Sequence, residues 1–121
     1  MTRAELIKAL ESLEGPSREV ADHVLLACGW KRDGRLWKSP QIKYYQEHER
    51  PNPLASIDSA LTLAPYGCNA HGYDFNPKGG VTAYLSRNYV KNGHWVVEGW
   101  HKTLVPVAFC IAALKAQESP Q

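Results

Sequence analysis

Residues 94 to 101 read HWVVEGWH, which places two histidines, two tryptophans and the carboxylate of Glu98 within eight positions. Three chemistries could use such a set. Zinc is the first. Cys68-Asn-Ala-His71 has a ligand-like two-residue spacer, and Asp74, His94 and His101 follow. A structural zinc needs four ligands, and a catalytic one needs three plus water. His94 and His101 are an odd number of residues apart, so a strand sends them to opposite faces. No metal or cofactor is expected. Acid–base catalysis is the second. Burial among aromatics would raise Glu98 toward a working pKa, but a carboxylate in mid-strand ordinarily faces water. No Gly-x-Ser-x-Gly elbow and no Cys–His pair in a recognisable setting accompanies it, so no catalytic residue is assigned. Phosphate binding is the third. Asn76-Pro-Lys-Gly-Gly80 is glycine-rich but lacks the Gly-Lys-Ser/Thr ending of a P-loop and its following helix. It reads as a hairpin turn whose amides can still hold an anion.

Aromatic residues give the stronger signal. The chain has four Trp, six Tyr and two Phe, and Tyr73, Tyr84, Tyr89, Trp95 and Trp100 all fall in its C-terminal half. Rings stack on bases, and neighbouring cations meet phosphate. The expected ligand site is therefore Tyr84, Arg87, Lys91, His94, Glu98 and Trp100. The plain alternative is that the rings fill the layer between sheet and helices, each burying roughly 150–250 Å². Trp95 is assigned to packing, while Tyr84 and Trp100 stand evenly between the two roles. A secondary basic patch, Arg32, Arg35 and Lys38 beside Lys31, flanks a turn and is ordinarily a solvated feature.

These residues need elements to position them. The length of 121 residues suits one domain, and 44% hydrophobic with 21% charged residues is globular composition. A net charge of +2 is lower than a dedicated nucleic-acid binder usually carries, so nucleic acid is not an expected partner. No apolar run approaches the roughly 18 residues of a membrane span, and the N-terminus lacks a signal-peptide pattern. Cys28, Cys68 and Cys110 are odd in number and widely spaced, which fits free thiols in a reducing cytoplasm.

Thr2 to Glu5 forms a capping box before a helix carrying Leu6, Ile7, Leu10 and Leu13. Gly15-Pro16 ends it. Ser17 caps a second helix with Val20, Val24, Leu25 and Cys28, stopped by Gly29. Trp30 to Trp37 reads as a hairpin turning at Asp33-Gly34, and Lys38 to Leu54 as an irregular connection. Ser56 caps a third helix. Three strands follow: Tyr66 to Phe75, Val81 to Tyr89, and His94 to Trp100 after an Asn92-Gly93 turn. The last helix, from Thr103 or Pro106 to Ala116, is apolar nearly all round and therefore buried. Grouped strands predict an α+β fold, with an antiparallel three- to four-stranded sheet packed against about four helices. It forms one domain over residues 1–116, with a frayed tail over 117–121.

The strings "LIKALESLEGPSREVADHVLLACGW", "ASIDSALTLAP" and "AFCIAALKA" together resemble the phage ABA-sandwich domain family of small bacteriophage and prophage proteins. The resemblance covers most of the chain and is weakest over Lys38 to Pro53. It implies a layered α-β-α arrangement and no enzyme activity or residue roles. Small phage proteins often act against host defence, which is an analogy of context. The resulting expectation is a non-enzymatic protein of the host bacterial cytosol. It would bind a nucleotide-like small molecule, sequester a host immune signal and act as a homo-oligomer. The alternatives are a blocker of a host protein by surface contact and a small hydrolase using Glu98.

Overall fold

A computed structural model describes residues 1–65, 68–87 and 95–118, with the backbone only for Arg87, Trp95 and Glu118. α1 spans Arg3–Glu11, and its capping box is present. Thr2 Oγ1 accepts from the Glu5 N–H at 3.1 Å, and Glu5 Oε1 accepts from the Thr2 N–H at 3.0 Å. α2 spans Arg18–Ala27 and is capped by Ser17, whose hydroxyl accepts from the Val20 N–H. The chain leaves it through Gly29 at φ +96°, a conformation glycine takes without strain.

The hairpin that follows differs from its expected form. β1, Lys31–Asp33, pairs with β2, Leu36–Lys38, and Asp33 lies opposite Leu36. The two loop residues are thus Gly34 and Arg35, one position later than the Asp33-Gly34 turn read from sequence. A type I′ turn needs positive φ at both central residues, whereas a glycine-first II′ turn needs it only at the first. Gly34 alone meets that demand, at φ +61°. A third strand, β3, Tyr44–Gln46, then joins β2 inside the segment expected to be irregular. Trp30 and Trp37 bring it there. Tyr45 pairs with Trp37 across the strands, and its ring lies 5.3 Å from that of Trp30. Trp37 is fully buried, with the guanidinium groups of Arg32 and Arg50 each 5.4 Å from its ring. Arg50 is fixed in turn by bonds of 2.9 and 3.2 Å to Asp22 of α2.

α3, Ile57–Leu61, is capped by Ser56 as expected. A meander follows, β4 (Cys68–Phe75), β5 (Val81–Arg87) and β6 (Trp95–His101), antiparallel in that order. α4 spans Val105–Glu118. It touches β5 and β6 along the sheet and α1, α2 and α3 elsewhere round its circumference. That position explains its all-round apolar sequence, since Val107 to Leu114 are buried without a break. α4 runs to Glu118, two residues into the expected tail, and the Gln117 amide holds its end by donating to the Leu63 carbonyl at 3.2 Å. The fold is α+β, with two antiparallel three-stranded sheets and four helices stacked in sandwich-like layers. Among the described residues, no helix is long and apolar enough to cross a membrane.

The three cysteines are free. Burial pushes the Cys28 thiol up to about 12 and raises Cys110 well above its ordinary value. The Cys110 thiol also donates to the Pro53 carbonyl at 3.3 Å. Thiolate is the reactive form, so an aromatic disulfide reagent should titrate only the half-buried Cys68 promptly in native protein, and all three thiols after denaturation. Prompt reaction of a second thiol in native protein would contradict this core.

Candidate functional site

Register builds the site. Across β5 and β6, Tyr84 lies opposite Glu98, Thr82 opposite Trp100 and Ser86 opposite Val96. The two-residue period puts these six on one face and Val81, Ala83, Leu85, Val97, Gly99 and His101 on the other. The second set packs beneath α4, and all but Val97 are fully buried. The first set is uncovered: Val96, Glu98 and Trp100 are exposed and Tyr84 is half-buried.

β4 completes this open face through a bulge. Ala70 pairs with Leu85 and Gly72 with Tyr84, which leaves His71 as the extra residue. Bulges re-aim a side chain out of the regular ladder. The His71 ring stands edge-on to Tyr84 at 6.5 Å. Asp74 pairs with Thr82, one row away. Between His71, Asp74, Tyr84, Val96 and Glu98 runs a groove of about 650 Å³. Withdrawal from water, and then the Asp74 and Glu98 carboxylates, hold the Tyr84 phenol above its ordinary value. Neither carboxylate forms an ion pair among the described residues. The groove therefore offers a ring flanked by acceptors, an arrangement suited to a planar ligand rich in N–H and O–H donors.

Of the expected site, Tyr84 and Glu98 meet in this groove. Trp100 shares their face but lies toward the β4–β5 turn, with its indole across Gly80. A Cβ at Gly80 would fall 2.3 Å from Trp100 Nε1. The backbone of Arg87 ends β5 opposite Cys68 and Trp95. Lys91, His94, Tyr89 and the Asn92-Gly93 turn lie outside the described residues. His71 and Asp74 appeared in the sequence only as metal candidates. What joins them to Tyr84 is the β4 bulge, and Gly72, at φ +141°, is its one local signal. Among the described residues, no three His, Cys, Asp or Glu side chains gather as metal ligands.

The basic patch divides. Arg32 turns inward over Trp37 and pairs with Glu47 at 2.7 Å. Lys38 is on the outward face of the small sheet, and Arg35 is exposed in the hairpin loop. Comparison with protein families, with curated proteins and with solved structures finds no match to the chain.

Proposed function

We propose that the protein is a non-enzymatic binder of a nucleotide-like small molecule, held on the open face of the meander. One observation carries this reading. Among the described residues, α4 covers one face of the sheet, and the other face gathers Tyr84, Glu98, Asp74 and His71 into one groove. Its volume lies within the roughly 300–1,000 Å³ of small-molecule sites. In this reading the base lies against Tyr84, and its amino edge and ribose hydroxyls donate to the carboxylates. Phosphate is assigned, from the sequence alone, to Arg87, Lys91 and His94. Sequestration of a host immune signal, in the phage setting implied by the resemblance, is the biological form of the proposal.

A thermal-shift panel of cyclic nucleotides, ADP-ribose derivatives and nucleoside phosphates tests it. The expected result is stabilisation by one class of ligand, recovered unchanged after denaturation. Glu98→Gln and Tyr84→Ala should each weaken binding about tenfold, the cost of one charge-assisted hydrogen bond or one stacked ring. A flat panel, with no ultraviolet-absorbing molecule released from the purified protein, would defeat the reading. Conversion of the ligand, abolished by Glu98→Gln, would make the protein a hydrolase.

A further inference from the structure

We infer that the outward face of the small N-terminal sheet is a second binding surface, and that its ligand is single-stranded nucleic acid. Cross-strand register sets Lys31, Lys38 and Tyr44 in one row and Asp33, Leu36 and Gln46 in the next, all on that face. The intervening row, Arg32, Trp37 and Tyr45, points inward. Arg35 stands exposed in the adjoining loop, whereas Lys43, just before β3, holds its ammonium 5.4 Å from the inward ring of Tyr45.

Lys31, Arg35 and Lys38 set three cations against the one carboxylate of Asp33, and Glu47, at the edge of this face, is already paired with Arg32. None of the three forms an ion pair among the described residues.

Apolar groups are interleaved with the cations. Tyr44 is 60% exposed, with the Lys38 ammonium 5.9 Å from its ring centre. Leu36 is exposed beside it. Ile42 is 68% exposed and sits at φ +63°, the one non-glycine residue with positive φ among those described. A β-branched residue is a genuine outlier there, and such strain clusters at ligand contacts. Three bonds hold the turn. Ile42 N–H donates to the Ser39 carbonyl at 2.9 Å, Ser39 N–H to the Lys43 carbonyl at 2.9 Å, and Lys43 N–H to Ser39 Oγ at 3.0 Å.

Lys31, Lys38 and Ile42 line a shared cleft of about 190 Å³. Two ammonium groups on one cleft suit a phosphate, and the neighbouring Tyr44 ring suits the base attached to it. Open sheet faces that alternate rings with cations bind single strands in this way, stacking the bases and tracking the backbone. A duplex would present stacked, inaccessible base faces to the same ring.

The test is fluorescence anisotropy of the full chain with labelled oligo-dT and oligo-U dodecamers over a salt series. The DNA and RNA arms show whether the 2′-hydroxyl matters. Affinity should fall as salt rises, with a log–log slope of about −2, at roughly −0.7 per phosphate neutralised. Lys31→Ala with Lys38→Ala should flatten that slope by more than half and weaken low-salt binding at least tenfold. Tyr44→Ala should weaken binding about tenfold with the slope unchanged, and Tyr44→Phe should restore it. All three positions lie on the surface, so unchanged thermal melts confirm folding. Glu98→Gln, on the other sheet, should leave oligonucleotide binding intact, which keeps this surface separable from the meander groove. Absence of binding at low salt would overturn the inference. So would binding indifferent to the lysine pair, or uptake by phosphatidylserine-containing vesicles without oligonucleotide binding.

Discussion

Gly99→Ala should destabilise the protein by about 3 kcal/mol or more, the upper range for forcing atoms into a packed core. For a domain of this size that lowers the melting temperature by about 10 °C. The reason is a backbone contact. A Cβ on Gly99 would fall 2.1 Å from the Ala108 carbonyl oxygen and 2.4 Å from the Ala112 backbone nitrogen. No rotamer relieves such an overlap, because the obstruction is the main chain of α4 itself. The helix would have to lift off β6, opening space around Val107 and Ile111, both fully buried. Substituting Ala108 or Ala112 would not rescue the variant, since neither clash is with a side chain. Gly15→Ala is the control. Beyond its chain neighbours, no described atom would lie within 4 Å of a Cβ there, so it should change stability by a few tenths of a kcal/mol at most. Chemical denaturation of both variants checks the contrast. A Gly99→Ala protein within 1 kcal/mol of the parent would mean that α4 is not seated on β6 as described.

This contact marks where sequence reading reaches its limit. The alternation of Val81, Ala83 and Leu85 announced a strand with one apolar face, and the all-round apolar last helix announced its own burial, but neither said that the two pack together. Val97, Gly99 and His101 fall on one strand face by period alone. Caps at Thr2, Ser17 and Ser56 were legible because each is a local hydrogen bond between residues three apart. The β3 strand was not, because Tyr44 and Tyr45 sit in a polar, proline-flanked stretch. What makes them a strand is the distant pair Trp30 and Trp37. The groove follows the same rule. Tyr84 and Glu98 were singled out individually, but their meeting with His71 and Asp74 depends on the β4–β5 register and a bulge. No local pattern fixes that register. The basic cluster shows the converse: Arg32, Arg35 and Lys38 are close in sequence, yet strand alternation turns Arg32 inward and leaves Lys38 outward.

His101→Leu should cost about 3 kcal/mol, although it replaces a polar buried side chain by an apolar one of similar bulk. His101 is fully buried, and both ring nitrogens are engaged. Nε2 lies 2.7 Å from the Leu13 carbonyl, to which it donates. Nδ1 accepts from the Thr103 and Leu104 N–H groups at 3.0 and 2.8 Å. These bonds fix the tautomer, with the proton on Nε2. One imidazole thus ties the end of the α1 segment to the turn that launches α4. Leucine would leave a carbonyl and two amides without these partners, and each buried orphan costs about 1–3 kcal/mol. Two conservative variants separate the arms of this bridge. Asparagine places an acceptor near the position of Nδ1 and keeps the turn bonds while losing Leu13. Glutamine places a donor near Nε2 and does the reverse. Each should recover part of the loss, and the better of the two identifies the arm that matters more. If Leu, Asn and Gln were all equally destabilising, the cost would lie in shape and not in hydrogen bonding. If Leu were neutral, the imidazole bridge would contribute nothing to joining α1 and α4.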